Sequence, residues 1–566
     1  MNKTFLIIIF LVSHILSPVL SQTTPVKKKH LIYFTDKNNS PYSISNPQQF
    51  LSPRSIQRRN KQNILINQTD LPVTPNYPDS MRKLGAEVWY NSRWFNASLV
   101  ETDSATLELI KKLPFVKSAK SLNKKIRNNG IQMTNTVQTG FKPVSMNVVQ
   151  TAKTGLKPVS TYVDSTLYGS SYTQANMIGA VAMHEAGYHG EGMLIAVLDA
   201  GFYRADTLKA FRHLYQNNQI KGTYDFVAHN AGVYEDNTHG MMVLSLMAGY
   251  VPGMLIGTAY KAGYLLLRTE DVSSEQTIEE ANWLMAAEFA DSAGADVINS
   301  SLGYSTFDDS TQSYTYTNMD GNTALVTKAA DMAAGKGILV VSSAGNYGNK
   351  PWKYISAPAD GDSVLTVGAV SLSGDYASFS SVGPSYDRRV KPDITAPGAG
   401  VTYWASNDTI NYGGGTSFSS PILCGMATGF WQAYPNLTAM EIIEILHQSG
   451  SQYTSPDSLM GYGIPDFVRA KQLVDIKIDT FTSNFQIRIY PNPFQNLLTI
   501  FAEGKPKEKI NVRISDSSGR LVLEKQVILT GEKQLLRFEI GDFSKGIYMI
   551  SIEGKKGKKI LKTLKL

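Results

Sequence analysis

The sequence predicts an α/β protein built on a doubly wound, mostly parallel sheet, with a small α+β domain before it and an all-β sandwich after it. Between residues 183 and 476, short and nearly unbroken apolar runs such as MLIAVLDAGF and GILVVSSAGN alternate with helical segments. Such strands are buried on both faces, which is typical of a parallel sheet flanked by helices. From residue 485 the pattern changes to short strands separated by turn pairs, which indicates an antiparallel sandwich.

The composition is that of a folded protein with several domains. The chain has 566 residues, of which 42% are hydrophobic and 18% charged. Cys424 is the single cysteine, so no intramolecular disulfide can form. The net charge is +7, but the lysines of the C-terminal region lack interleaved aromatic residues, so we expect no nucleic-acid partner.

Residues 1–21 are predicted to be a secretory signal peptide. A basic start precedes the apolar stretch Phe5–Val12, and a cleavage site follows near Ser21. The alternative is a single membrane anchor, but His14 and Pro18 interrupt the apolar run too early for a span. We therefore expect a secreted or cell-surface protein that passes through the periplasm and has no membrane span after signal removal.

Two further regions precede the predicted sheet. In residues 22–123, HLIYFTD alternates like a strand, PRSIQRRNKQ is a charged helix, and AEVWYNSRWFNASLVE forms two strands about a tight turn. SATLELIKKLPFVKSAK is predicted to be an amphipathic helix with Ser104 as its N-cap. Residues 124–182 form a polar linker with a short repeat, TGFKPVS from Thr139 and TGLKPVS from Thr154. Its Pro and Gly content argues against packed structure.

Two residues that could carry chemistry follow the first strand of the predicted sheet. MLIAVLDAGF places Asp199 at the strand end, where a buried carboxylate needs a partner unless it caps a helix. NTHGMMVLSLMAG places His239 directly before an apolar helix, although a lone histidine is usually structural. His229, in VAHN, lacks the following glycine and helix, and we interpret it as a surface residue.

Two more candidates come later in the chain. Asn346 follows GILVVSSAG, where it either ends the strand or donates its amide to a developing oxyanion. Ser417 begins a helix after three glycines, so it is either an N-cap or a nucleophile beside the free N–H groups of a helix start. Pro421 is expected in the first turn of that helix, where proline is tolerated.

Taken in order, these segments resemble the subtilisin-like serine peptidases, or subtilases. The segments are AVLDAGF, THGMMVLSLMAG, NSSLG, SSAGNYG, KPDITAPG and GGTSFSSP. The order Asp, His, Ser is that of subtilisin. The resemblance spans about residues 190–470 and implies the subtilisin-like fold, protein or peptide substrates, and peptide-bond hydrolysis through an acyl-enzyme. No ligand set for calcium can be recognised, so we expect no metal and no cofactor.

The resemblance also implies roles for individual residues. Ser417 would be the nucleophile, His239 the general base and then acid, and Asp199 the residue that orients His239. Asn346 and the Ser417 N–H would form the oxyanion hole, and the glycines before Ser417 would leave it exposed to substrate. Residues expected to flank the substrate and pair with its backbone are Ser301, Leu302, Gly303, Ser343, Ala344 and Gly345.

The sequence departs from the family pattern at three places. Met242 and Ile422 stand where histidines are usual, but neither of those histidines transfers a proton. Cys424 replaces a small apolar residue on the helix after Ser417, and we interpret it as packing.

The flanking regions resemble known accessory domains. Residues 22–123 resemble the propeptides of Bacteroidetes subtilases, with an ordinary accessory domain as the alternative. Residues 485–566 resemble the C-terminal sorting domain of type IX secretion cargo, which would make the type IX machinery a partner. The alternative for this tail is a carbohydrate-binding or adhesive β-domain, although no exposed aromatic row supports sugar binding.

Two other functions are alternatives to a peptidase. A catalytically dead adhesin could keep the fold, but the complete Asp, His and Ser set argues against it. An esterase or lipase would need its nucleophile in a Gly-x-Ser-x-Gly elbow before the Asp and His, whereas Ser417 comes last.

Overall fold

The computed structural model describes residues 26–122, 165–481 and, with short gaps, 486–565. The predicted signal peptide and residues 124–164 of the predicted linker, including both copies of its repeat, lie outside the described residues.

The N-terminal unit is a four-stranded antiparallel sheet with three α-helices. Its elements are β1 (Lys28–Phe34), α1 (Pro53–Lys61), α2 (Asn76–Lys83), β2 (Glu87–Ser92), β3 (Ala97–Thr102), α3 (Ser104–Ile110) and β4 (Val116–Ser121). The strand order in the sheet is β2-β3-β1-β4.

The predicted N-cap of α3 was wrong by one residue. The carboxylate of Asp103 accepts hydrogen bonds from the N–H groups of Ala105 and Thr106, at 2.9 and 3.0 Å, so Asp103 is the cap and Ser104 is the first helical residue. The helix also ends at Ile110, and Val116–Ser121 pairs with β1 as a strand.

The central unit begins with helices and contains the large sheet. Its elements up to the middle of the sheet are α4 (Ser165–Tyr168), α5 (Tyr172–Met177), α6 (Ala180–Glu185), β5 (Leu194–Asp199), α7 (Arg212–Gln216), β6 (Ile220–Asp225), α8 (His239–Ala248), β7 (Tyr250–Val251), β8 (Leu255–Ile256), β9 (Gly263–Arg268), α9 (Ile278–Ala293) and β10 (Val297–Ser300). The remaining elements are α10 (Leu325–Gly335), β11 (Leu339–Ser343), β12 (Val364–Ser371), β13 (Ile394–Trp404), β14 (Ile410–Gly414), α11 (Thr416–Ala433), α12 (Ala439–Gln448) and α13 (Phe467–Phe481).

The eight-stranded sheet has the order β14-β13-β12-β11-β10-β5-β9-β6. All neighbouring strands are parallel except β13 and β14, which are antiparallel. One buried cluster contains Val197 and Val341, and another contains Leu198 and Val340, so alternate residues of the same strands enter different cores. This confirms the predicted doubly wound, mostly parallel sheet, with β12, β11, β10 and β5 at its centre.

Residues 165–182, which were predicted to belong to the linker, are helical and packed. Tyr168, Ala175 and Ile178 are buried in the same core as Val197. Together with Tyr172 they recur at helical spacing, and this periodicity outweighs the polar composition of the segment.

The C-terminal unit consists of two antiparallel sheets. Their strand orders are β15-β16-β19 and β18-β17-β20-β21. Ile500 and Ile514, from different sheets, belong to one buried cluster, as the predicted sandwich requires. The strands are β15 (Gln486–Tyr490), β16 (Leu497–Glu503), β17 (Lys509–Asp516), β18 (Leu521–Ile528), β19 (Lys533–Glu539), β20 (Gly546–Gly554) and β21 (Gly557–Lys565). Over the described part of the chain, no helix has the length and apolar character needed to cross a bilayer.

The N-terminal unit docks on helix α9 through buried charge. Asp291 accepts hydrogen bonds from three guanidinium groups of that unit, those of Arg58, Arg59 and Arg93. Burial alone would raise the pKa of Asp291, but the three arginines outweigh it and hold this pKa well below its usual range. One turn earlier, Glu288 accepts the N–H of Arg93 at 2.9 Å. Two carboxylates on one helix therefore bind the N-terminal unit through buried hydrogen bonds.

Candidate active site

Asp199 and His239 lie together at the carboxyl end of the sheet. Asp199 ends β5 and is fully buried, and its Oδ1 lies 2.6 Å from Nδ1 of His239, the first residue of α8. The same oxygen accepts the N–H of Ala200 at 2.8 Å, so Asp199 is not a helix cap. Burial lowers the pKa of His239, but the charge of Asp199 outweighs burial and the pKa is raised.

Gly240 allows helix α8 to begin this close to β5. A Cβ atom at Gly240 would lie 2.5 Å from the carbonyl oxygen of Gly201 and 2.8 Å from Cβ of Asp199. Neither neighbour can move without displacing the end of the strand. The glycine after His239 is therefore needed for the contact between His239 and Asp199.

Ser417 is the second residue of α11 and is tied to the segment that follows β10. Its hydroxyl donates to the carbonyl of Ser301 at 3.2 Å, and the hydroxyl of Ser301 donates back to the carbonyl of Ser417 at 2.9 Å. The acceptor of the Ser417 hydroxyl is thus a main-chain oxygen, not the His239 ring. Helices α8 and α11 nevertheless pack against each other, so both residues lie at the same edge of the sheet.

The prediction for Pro421 was wrong, because Pro421 lies in the second turn of α11. In a regular helix the N–H of residue 421 would donate to the carbonyl of Ser417, four residues earlier. Proline has no N–H, and Ser301 supplies the missing donor. The helix is therefore joined to the strand edge at Ser417 itself.

Asn346 lies beside the start of α11. Its Oδ1 accepts the N–H of Thr416 at 2.8 Å and the hydroxyl of Thr416 at 3.0 Å. A Cβ atom at Gly415 would lie 3.6 Å from Nδ2 of Asn346, which places the amide group against the helix start. With Oδ1 engaged, the two N–H groups of Nδ2 remain for another acceptor.

Gly413, the first of the three glycines before Ser417, is required by side-chain packing. A Cβ atom at Gly413 would lie 2.9 Å from ring atoms of both Tyr403 and Phe418. The expectation that these glycines serve substrate access therefore does not hold for Gly413, where the packing of two rings requires the glycine.

The residues expected to flank a substrate are only partly free to pair. Ala344 donates its N–H to the Val367 carbonyl at 3.0 Å and accepts from the N–H of Ser356 at 3.3 Å, so both of its main-chain groups are used. Gly345 donates its N–H to the hydroxyl of Thr416 at 3.2 Å. By contrast, Gly303 has no main-chain partner among the described residues.

The two flanking segments are also linked to each other. The hydroxyl of Ser343 donates to the carbonyl of Leu302 at 3.3 Å. Ser301, Leu302 and Gly303 follow β10, and Ser343, Ala344 and Gly345 lie at the end of β11, its parallel neighbour. The structure therefore brings all six residues to one edge of the sheet.

The structure agrees with the interpretation of His229 as a surface residue and of Cys424 as a packing residue. His229 is exposed, and its ring stacks on Trp89 of the N-terminal unit with 5.5 Å between centroids. Cys424 is fully buried in the core, and burial raises the pKa of its thiol.

Sequence reasoning missed one carboxylate at this edge, Glu270. It follows β9 in LLLRTED, and its side chain is buried next to the end of β5. A carboxylate directly after an apolar strand was the same signal that identified Asp199.

Comparison with known proteins covers all three units. Residues 190–463 match the subtilase family, residues 29–136 match the peptidase S8 propeptide domain of Bacteroidota, and residues 488–565 match the secretion system C-terminal sorting domain.

The similar proteins include bacterial subtilisins and an alkaline protease. Subtilisin NAT of Bacillus subtilis subsp. natto is 29% identical over 315 residues, which are 55% of this chain and 72% of that protein. Subtilisin DY of Bacillus licheniformis is 30% identical over 269 residues, which are 47% of this chain and 86% of that protein. The thermostable alkaline protease of Halalkalibacterium halodurans is 28% identical over 298 residues, 52% of this chain and 72% of that protein.

The fold and these matches define the class of protein, a serine endopeptidase of the subtilisin type with a propeptide domain and a secretion sorting tail. The chain belongs to the subtilase family, and it is a secreted or cell-surface protein. The domain boundaries proposed from the sequence stay predictions.

We expect Ser301→Ala to destabilise the central unit by about 1–3 kcal/mol, because the Ser417 carbonyl loses its donor inside a buried segment. Urea unfolding measures the change, and peptidase activity should fall with it. Ser305→Ala is the matched control, since the Ser305 hydroxyl is buried without a hydrogen-bond partner among the described residues. Equal unfolding midpoints for the two variants would show that the hydrogen bond from the Ser301 hydroxyl to the Ser417 carbonyl does not stabilise the unit.

Proposed function

We propose that the protein is a secreted endopeptidase that cuts peptide bonds through an acyl-enzyme on Ser417, with His239 and Asp199 completing the triad. The observation that carries this proposal is the 2.6 Å contact between Nδ1 of His239 and the buried carboxylate of Asp199. That contact fixes the ring and keeps Nε2 available for proton transfer.

In the first step His239 accepts the Ser417 proton at Nε2 while Oγ attacks the substrate carbonyl carbon. The hydroxyl must first leave the Ser301 carbonyl, 3.2 Å away, and rotate toward the ring. Such catalytic hydrogen bonds often form only when substrate is bound. The C–O π electrons move to oxygen, and the resulting oxyanion accepts from Nδ2 of Asn346 and from the Ser417 N–H.

The intermediate then collapses. The carbon–nitrogen bond breaks, the leaving nitrogen takes the proton from His239, and the acyl group stays on Ser417. Water then attacks the acyl carbon while His239 accepts its proton. The bond between that carbon and Oγ of Ser417 breaks, Oγ takes the proton back from His239, and the carboxylic acid is released. The carboxylate of Asp199 stabilises the imidazolium.

For substrate pairing we propose Ser301, Leu302 and Gly303 on one side and Ser343, Ala344 and Gly345 on the other. Gly303 is the best supported of the six, because its main chain lacks partners among the described residues. Ala344 and Gly345 would act by shaping the site, since the main-chain groups of both residues are engaged.

Ser417→Ala should abolish peptide hydrolysis and also leave the N-terminal domain attached, if the enzyme cuts its own chain after residue 122. Mass spectrometry of the purified protein, with a casein assay, measures both outcomes. Ser419→Ala, two residues along the same helix, is the control and should mature normally. Maturation of pure Ser417→Ala protein would show that another peptidase removes the domain.

Asp199→Asn should fold but lose activity by roughly ten-thousandfold, because the amide favours the wrong imidazole tautomer. Without the carboxylate charge the raised pKa of His239 should fall. The neutral ring is then reached at lower pH, so the acidic limb of the kcat/KM profile should shift to lower pH. Asp475→Asn, which changes an exposed carboxylate paired with Lys471, should alter neither quantity. An unshifted limb would argue against Asp199 as the partner of His239.

We further propose the type IX secretion machinery as the partner of residues 485–566, on the strength of the sorting-domain match. Deleting these residues should leave peptide turnover by the purified enzyme unchanged, since the proposed chemistry lies wholly in the central unit. In a host with a type IX system, the truncated protein should accumulate in the periplasm, which cell fractionation detects. Normal export of the truncated chain would refute the proposal that the type IX machinery recognises residues 485–566.

A further inference from the structure

Glu270 lies at the same edge of the sheet as Asp199, on the neighbouring strand. In the parallel pairing of β5 with β9, Asp199 is opposite Arg268, and the N–H of Thr269 donates to the Asp199 carbonyl at 2.9 Å. Glu270 is the next residue, and 8% of its surface is exposed. It is therefore a mostly buried carboxylate beside the proposed triad, with no part in the reaction described above.

The carboxylate of Glu270 is held by one oxygen only. Oε1 accepts the hydroxyl of Tyr304 at 2.6 Å and that of Thr269 at 2.7 Å. Oε2 accepts no hydrogen bond from the described residues and is not among their fully buried unpaired atoms. Tyr304 directly follows Gly303, the segment proposed to pair with substrate. The free oxygen thus belongs to a side chain anchored to the substrate-binding edge.

Glu270 has no cationic partner in the part of the chain that the structure describes. Arg268, two residues earlier, pairs instead with Asp225 at 2.7 Å and Asp236 at 3.2 Å. Burial, followed by the nearby carboxylates Glu275 and Asp199, raises the pKa of Glu270 to about 7. An unpaired buried carboxylate costs free energy that a bound cation would recover.

The residues that follow the N-terminal unit in the sequence are basic. The hydroxyl of Thr277, just before α9, donates to the carbonyl of Leu122 at 2.9 Å, so the N-terminal unit ends beside the loop that follows Glu270. In the sequence, Leu122 is followed by Asn-Lys-Lys-Ile-Arg.

We propose that Glu270 determines specificity by binding the ammonium or guanidinium group of a lysine or arginine in the peptide substrate, close to the bond that is cut. This rests on the proposed function, because it requires substrate at this edge of the sheet. Oε2 accepts from the cation, while Tyr304 and Thr269 hold Oε1 and so fix the carboxylate.

The test uses the mature enzyme and pairs of peptides that differ only by Lys or Gln at one of four positions on each side of the cut. The wild type should prefer Lys at one position. In Glu270→Gln, kcat/KM for that Lys peptide should fall on the order of ten- to a hundredfold, and that for its Gln partner should stay unchanged. No preference for Lys in the wild type, or a preference kept by Glu270→Gln, would overturn the proposal.

Two control variants separate charge from structure. Glu275→Gln neutralises a carboxylate of the same loop and should keep the preference for Lys. Tyr304→Phe removes the hydrogen bond but keeps the charge of Glu270, so it should keep a Lys-over-Gln ratio well above one, whatever happens to overall activity. Loss of preference in Tyr304→Phe but not in Glu270→Gln would assign Glu270 a structural role only.

The wild type alone provides a second test. The ratio of kcat/KM for the Lys and Gln peptides should increase as the pH rises from about 6 to 8, because the ionised carboxylate binds the cation. His239 and Asp199 act on both peptides alike, so their effect on the pH dependence of kcat/KM cancels in the ratio. Burial also raises the pKa of Glu275 to about 7 and that of Glu279 to about 9, so the increase should persist in Glu275→Gln if Glu270 is its source. A ratio independent of pH would count against Glu270, whereas failure to cut any peptide would refute the proposed function itself.

Discussion

Asp199 is fully buried, and its Oδ2 has no hydrogen-bond partner among the described residues. A carboxylate in that position is costly unless positive charge is shared with it, and His239 is the group that can supply it. The close approach in turn requires α8 to start against the end of β5, which only Gly240 permits. One buried charge therefore determines where a helix begins and which residue follows the histidine.

The rest of the site is joined by side chains that bond to main-chain groups of other elements. Ser301 and Ser417 exchange hydrogen bonds between the β10 edge and α11, while Asn346 holds the N–H of Thr416. Because each bond crosses between elements of a packed sheet, the helix start cannot shift relative to the strand ends. This is the rigidity that a proposed oxyanion hole needs, since its donors must be in place before charge develops.

Helix α9 connects the propeptide domain to this edge. Near its end, Asp291 and Glu288 accept hydrogen bonds from arginine side chains and main-chain N–H groups of the N-terminal unit. Just before its start, Thr277 contacts Leu122, where the described part of that unit ends. The loop before Thr277 begins at Glu270. A single helix thus contacts the N-terminal domain near both of its ends and follows the loop that begins at the carboxylate proposed to select substrates.

The sequence by itself determined the parallel sheet, the three units, and the candidates Asp199, His239 and Ser417, because apolar runs and the residues that end them are local patterns. It placed the N-cap of α3 one residue late, and it did not reveal several hydrogen bonds between residues that are distant in the chain. The carbonyl of Ser417 is satisfied by Ser301 across 116 positions, which is why Pro421 can lie in the second turn. Likewise, strand order and register decided that Ala344 has no free main-chain group. Among the described residues, they also left Gly303 without a main-chain partner and Glu270 beside Asp199 without a cation. Register is a property of the assembled sheet, so only the tertiary structure could specify it.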